Sequence, residues 1–279
     1  MSKEFYRNTK AYDIAFSDRE FDTECDFLIW CLHNLGKVKK TKLEKRSFLE
    51  LGCGPARHTR ELSKRGWDSY ALDISDEMIE YALHEARKEG LKINGIVGNM
   101  IDYKLNKKVI LAATLMESIA HILTNDDMVN HLKAVSKNLV DGGIYIIEGT
   151  HPQFFFPDDE TNSWVSEEGN FSVKITFGTP GDTYNSLKQT WQVSNKMKIK
   201  HGNAPVVETK SISEVRWYLL QEMKLLIEKS GVFDKAWFFG SLYSIPPIVI
   251  DETENSDAMV IVLRKAKKKV NKVKFNLDL

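Results

Sequence analysis

The chain has 279 residues, 42% hydrophobic and 28% charged, enough to bury one large core or a core with a subdomain. Lys plus Arg and Asp plus Glu are equal at 39 each, so no net positive field draws the protein onto nucleic acid. The opening residues are mixed and charged rather than a signal peptide. No apolar run approaches the roughly 20 residues of a membrane span, and a cytoplasmic location is expected.

In chain order, Phe21, Cys25, Leu28, Ile29, Leu32 and Leu35 fall at helix spacing, and a lysine-rich polar connector follows over 37–46. Residues 47–51 read as a strand, and 56–65 as a helix ended by Gly66. A second strand covers 67–73. The helix over 75–88 has Ser75 as its N-cap, an acidic first turn and Gly90 past its end. Strands three and four cover 93–97 and 109–115, the latter continuously apolar, as a strand buried on both faces requires. A helix over 126–138, a turn at 141–143 and a fifth strand over 144–148 complete the alternation, which predicts a parallel sheet with right-handed crossovers.

The pattern then changes. Residues 151–210 show no helical period, but strands at 171–177, 187–199 and 206–212 broken by Gly-Thr-Pro-Gly-Asp and His-Gly-Asn, which predicts an inserted antiparallel sheet. Helix period returns over 214–229, and strands over 233–239 and 259–263 bring the α/β core to seven. The expected division is therefore a core of 1–150 and 211–266, an insertion of 151–210 for substrate or partner contact, and a basic tail of 267–279. The lysines at 264–274 read as a solvated end rather than a nucleic-acid arm. Cys25, Cys31 and Cys53 contain no Cys-x-x-Cys pair; reduced thiols are expected, with no disulfide framework and no metal site.

The chemistry concentrates at Glu50-Leu51-Gly52-Cys53-Gly54-Pro55-Ala56. A strand that turns into a helix through glycines exposes backbone N–H groups to a nucleotide-like ligand with no Cβ in the way. A dinucleotide loop needs a third glycine three residues on; Arg57 stands there instead. The stretch resembles motif I of the class I S-adenosylmethionine (SAM)-dependent methyltransferases, Glu-x-Gly-x-Gly-x-Gly, with Ala56 at the last glycine. The resemblance covers 10–150 well and 212–265 loosely. It implies a seven-stranded Rossmann-like methyltransferase sheet with helices on both faces plus the inserted antiparallel β subdomain. SAM is the implied cofactor, and the implied reaction is methyl transfer to an N or O atom of a small-molecule acceptor.

Mapped onto this chain, the resemblance gives Glu50, Gly52 and Gly54 to the cofactor loop, with Cys53 filling its wall. Asp73, followed by Ile74, ends the second strand where it would take the ribose hydroxyls, and Met78 would lie near the adenine. Asn99 stands where the family commonly has Asp and would accept from the adenine amino group, with Met100 beside it. Leu115 and Met116 would cover the methionine half, and Tyr12 and Arg19 resemble the segment that closes over SAM. For the reaction, His121 and His151 lie just beyond the fourth and fifth strands, where open α/β sheets bind ligands, and either could serve as a general base. Glu117 is a third candidate and could orient an ammonium group. Phe154, Phe155, Phe156, Trp164, Tyr184 and Trp191 offer an aromatic wall for an apolar or cationic acceptor, or else the core of the insertion or a homodimer contact. No Asn-Pro-Pro-Tyr-like tetrad and no Pro-Cys pair occurs, which disfavours nucleic-acid bases as acceptors. The alternatives are an RNA or protein methyltransferase using the basic tail, and a SAM-binding module without catalysis.

Overall fold

In the computed structural model, which describes residues 8–155 and 162–276, hydrophobic periodicity becomes a layered α/β domain. Helices α1 (Thr9–Ala15), α2 (Phe21–Leu35) and α3 (Lys40–Leu43) precede β1 (Ser47–Leu51). Then α4 (Arg57–Lys64), β2 (Asp68–Asp73), α5 (Asp76–Lys88), β3 (Asn94–Val97), β4 (Val109–Thr114), α6 (Asn125–Asn138) and β5 (Leu139–Gly149) alternate. All five strands pair in parallel. The turn expected at 141–143 is instead a bulge inside β5, because Gly142 lies against the Lys37 carbonyl and itself accepts from Lys37 N at 2.8 Å.

After the insertion come α7 (Leu220–Ser230) and, closing the sheet, β11 (Phe233–Phe239), β12 (Met259–Lys265) and β13 (Lys274–Asn276). The order is β13-β11-β12-β5-β4-β1-β2-β3, eight strands where seven were expected. The extra strand comes from the basic tail: Val273 is buried and the Phe275 ring lies 6.2 Å from Phe238, an apolar alternation that the surrounding lysines obscure in the sequence. Side chains of one parity on β12, Ile261 and Leu263, join α6 and α7; those of the other, Val260 and Val262, join α2. This is the period-two signature of a sheet buried on both faces.

The insertion forms a second, antiparallel sheet of β6 (Asn162–Glu168), β7 (Phe171–Phe177), β8 (Thr183–Asn185), β9 (Thr190–His201) and β10 (Val207–Val215). Its path is β10-β9-β7-β6, with β8 on β9. Strands β6 and β8 are too polar or too short to register in the sequence. Helix α7 starts at Leu220 and not at 214, because β10 continues to Val215 and buries it against the core. One face of this sheet packs Val173, Ile175 and Met197 on Ala11, Ile14 and Ala15 of α1. Farther along, Val193 and Val215 pack on Ala120, just past β4. The insertion thus roofs the carboxyl ends of the core strands, where an open α/β sheet carries its site. Phe156 and residues 277–279 of the tail lie outside the described residues.

Candidate active site

The glycine loop is shaped by backbone geometry that side chains resist. Gly52 (φ +65°) and Gly54 (φ +49°) are left-handed, and a Cβ on Gly52 would lie 2.8 Å from Ser118 Cβ. Asp73 fixes the other side: Gly54 N donates to Oδ2 at 2.8 Å and Ser75 N donates to Oδ1 at 2.9 Å. Ser75 caps α5 by accepting from Met78 N at 3.1 Å, so Asp73 is not needed as the cap. Burial raises the Asp73 carboxyl above its ordinary range, and the N–H groups of Ser75 and Gly54 hold it back.

These residues open onto a cavity of about 1020 Å³. Of the residues singled out in the sequence, Tyr12, Arg19, Gly52, Gly54, Asp73, Ile74, Asn99, Met100, Met116, Glu117 and His121 line it. Ile74 is exposed there, an apolar platform beside Asp73, and Asn99 Oδ1 accepts from Ile101 N at 3.0 Å. Five of the residues expected to bind the cofactor or take part in catalysis do not reach the cavity. Glu50 faces inward, taking Thr59 N at 2.9 Å, Thr59 Oγ1 at 2.6 Å and His58 Nδ1 at 3.0 Å. Cys53 packs with Ala56, Ala71 and Ile79 behind the loop, its thiol pushed up by burial. Met78 and Leu115 are buried, Leu115 in the core on the α2 face. His151 is buried and its Nδ1 accepts from Gln153 N at 3.2 Å, which makes it the cap of a short 3-10 turn rather than a base in the pocket.

An extended charge network lies beneath the cavity. His58 bridges Glu50 and Glu24, its Nε2 lying 2.5 Å from Glu24. Burial opposes charge on the ring, but the two carboxylates win and hold it at about 9. Glu24 also accepts from Arg19 Nε at 2.8 Å and Tyr243 OH at 2.7 Å. Arg19 donates onward to Glu148 at 2.9 Å, and the second oxygen of Glu148 takes Met116 N at 2.6 Å. Arg19 therefore already satisfies two carboxylates of the protein. Glu148 was missed in the sequence, although it ends an apolar strand as Glu50 and Asp73 do. Arg57, which argued against a dinucleotide, pairs with Asp13, and Tyr81 OH donates to the same carboxylate at 3.0 Å. Together they fasten α1 over the loop.

Past β4 the chain makes two consecutive left-handed residues, Met116 (φ +51°) and Glu117 (φ +57°), neither of them glycine. Each such residue costs about 1–2 kcal/mol, and strain of this kind gathers at functional sites. The turn brings Glu117 and His121 to the cavity wall. Burial pulls the His121 imidazole down to about 4, so it is neutral at pH 7. Burial pushes the Glu117 carboxyl up, against the Thr150 hydroxyl and Trp217 indole beside it. The insertion contributes Trp164, Phe177, Trp191, Asn195 and Ser213 to the same cavity, and Trp217 lines it just past β10. Trp164 Nε1 donates to Ala15 O at 2.7 Å, Tyr184 covers Trp191 at 4.7 Å between rings, and Phe155 stacks on Trp217 at 5.6 Å.

Arg19 is the one Lys or Arg among the described residues lining the cavity, and it is already paired. The loop thus offers backbone and an acid, but no unpaired cation for a pyrophosphate, which suits a nucleoside carrying a sulfonium and an ammonium group. An open α/β sheet with this cradle defines a class I SAM-dependent methyltransferase fold. Residues 48–143 match the family model described as a methyltransferase domain. The dTDP-3-amino-3,4,6-trideoxy-alpha-D-glucopyranose N,N-dimethyltransferase of Streptomyces venezuelae is 24% identical over 131 residues, 47% of this chain and 52% of its own length. The dTDP-4-amino-2,3,4,6-tetradeoxy-D-glucose N,N-dimethyltransferase of Saccharopolyspora spinosa is 25% identical over 131 residues, 47% of this chain and 49% of its own. The chain thus spans about half the length of these curated relatives. A crystal structure of a SAM-dependent methyltransferase from Clostridium acetobutylicum shares the fold, with a TM-score of 0.71 at 18% identity over 91% of this chain and 96% of that one. Residues 48–143 thus match a methyltransferase domain, and the chain shares the fold of a SAM-dependent methyltransferase. No helix among the described residues is long and apolar enough to cross a membrane.

Proposed function

We propose that this protein transfers a methyl group from SAM to the amino nitrogen of a small, sugar-like molecule. The observation that carries the reading is one continuous cavity, running from the Gly52–Gly54–Asp73 cradle to an end walled by Glu117, His121 and the aromatic face of the insertion. Two aligned relatives bear the names of amino-sugar N,N-dimethyltransferases and a third that of an O-methyltransferase of ubiquinone biosynthesis; the two amino-sugar names support nitrogen, and the third makes a hydroxyl the acceptor to test against.

SAM, when bound, supplies a methyl group already activated by its sulfonium. The chain's own part is to position and to exclude water. The loop backbone and Asp73 hold the nucleoside, with Ile74, Asn99 and Met100 at the base. Neutral His121 accepts a hydrogen bond from the acceptor's N–H and so aims the nitrogen lone pair; with a pKa of about 4 it is too weak to keep a proton at pH 7. Glu117, raised by burial, is better matched to take the proton that the amine sheds. The test is methyl transfer from labelled SAM to a panel of amino sugars and matched hydroxyl-only sugars. Labelling of the amines alone is expected, and labelling confined to the hydroxyl compounds would overturn the reading.

A further inference from the structure

The segment that leaves β10 is fastened to the turn that carries Glu117 and His121. Val215 packs on Ala120, and Arg216 N donates to Ala120 O at 2.8 Å. Arg216 Nη1 donates to Leu123 O at 3.1 Å, and Tyr218 OH donates to Ile122 O at 2.5 Å. Trp217 lies between these anchors, its ring against Phe155 at 5.6 Å and Trp191 at 5.5 Å between centres. Glu117, Thr150 and Trp217 line the large cavity, and all three also line a separate void of about 10 Å³, too small for a ligand. Thr150 Oγ1 and Trp217 Nε1 are buried there and make no hydrogen bond among the described residues. The acceptor beside both is the Glu117 carboxylate. Arg216 lines the same void with its Nε also unpartnered, but its Nη atoms are committed to Leu123 O, Gln189 and Glu222. A buried donor without a partner is costly. An ionised carboxylate accepts on both oxygens, whereas a protonated one turns one oxygen into a donor.

We propose that Thr150 and Trp217 are positioning residues that aim the Glu117 carboxylate and keep it ionised, ready to receive a proton. Their two N–H and O–H donors work against burial, which favours the neutral acid. The charged groups that act on Glu117 from neighbouring elements are Glu148 of β5 and Arg19 of the segment between α1 and α2, and they pull in opposite directions. On its own turn, His121 is neutral at pH 7. The anchoring of residues 215–218 on that turn ties the end of the insertion to the setting of this acid. That the proton comes from an amine rests on the function proposed above; the action of the two donors on Glu117 does not.

The experiment titrates the Glu117 carboxyl by carbon NMR of isotope-labelled glutamate in the whole chain, with Glu117→Gln identifying its signal. The pH profile of kcat for 3-amino-3-deoxy-D-glucose is measured beside it. Trp217→Phe and, separately, Thr150→Val should each move the Glu117 midpoint up by about one pH unit, the worth of a hydrogen bond to a charged group. Thr150→Val swaps the hydroxyl for a methyl of similar size and leaves the ring stack untouched, so it carries the test even if Trp217→Phe does not fold. Thr150→Ser, which keeps the hydroxyl, should titrate as the wild type. A midpoint that neither substitution moves, or that Thr150→Ser moves as far as Thr150→Val, overturns the proposal. If the midpoint rises but the acidic limb of kcat does not follow it, or the amine is not methylated at all, the positioning role stands and the reading of Glu117 as the base for an amine fails.

Discussion

The charge on His58 is open to a simple measurement. Its ring is fully buried between Glu50 and Glu24 and holds its proton to about 9, against an ordinary value near 6.5. A folded-state value raised above the unfolded one gives stability that is fully present below pH 6.5 and is lost as the pH rises through 9. At about 1.4 kcal/mol per pH unit, the loss across that window is about 3 kcal/mol. Glu24, held down to about 2 by His58 and Arg19 against burial, describes the same pairing from its other partner and is not added. It sets the opposite limb, with stability present above pH 4.5 and lost as the pH falls through 2. Urea unfolding of the wild type from pH 6 to 9.5 should show the decline, with histidine NMR assigning the titration to this ring. His58→Gln should be destabilised at pH 6 by several kcal/mol, because two buried carboxylates lose their cation, and should show no decline toward pH 9. A wild-type stability that stays flat from pH 6.5 to 9.5 refutes a charged ring at this position.

Other expectations can be checked alongside. Gly52→Ala should cost about 2–4 kcal/mol, from the left-handed backbone and the contact with Ser118, and pairing it with Ser118→Gly should recover only the steric part; full recovery in urea melts would show that φ does not matter there. Asp73→Asn should weaken SAM binding in calorimetry by about 10- to 100-fold, through one lost charge-assisted bond to the nucleoside and a mispaired Gly54 N–H, and an unaltered Kd rules out its place in the cradle. Glu117→Gln should lower kcat about 100-fold and remove the acidic limb of its pH profile, which lies above the ordinary carboxylate range; a variant that keeps that limb shows that another group carries the proton.

The parity of the strands explains which parts of the site could be read from the sequence. Phe48 and Glu50 share one face of β1, and Ile144, Ile146 and Glu148 share the corresponding face of β5; both faces meet the α2 layer. That much follows from period two. What the sequence cannot supply is the partner, because Glu24, His58 and Arg19 arrive from other segments and absorb both acids before they reach a ligand. Asp73 differs because it is the last residue of β2, with its carboxylate turned to the loop. Acids at strand ends therefore look alike in sequence and divide in space: one faces the cavity, while two brace the glycine loop to the turn after β4 through a line of alternating charge. The insertion reverses the difficulty. Its partners are local, and Asn195 stands out as polar between Val193 and Met197 at an inward parity. Yet only the roofing of the core strands by this sheet turns that inward face from the core of a small subdomain into the wall of a cavity. The glycine loop is thus legible from local rules, whereas the far wall of the cavity becomes visible only when two sheets meet.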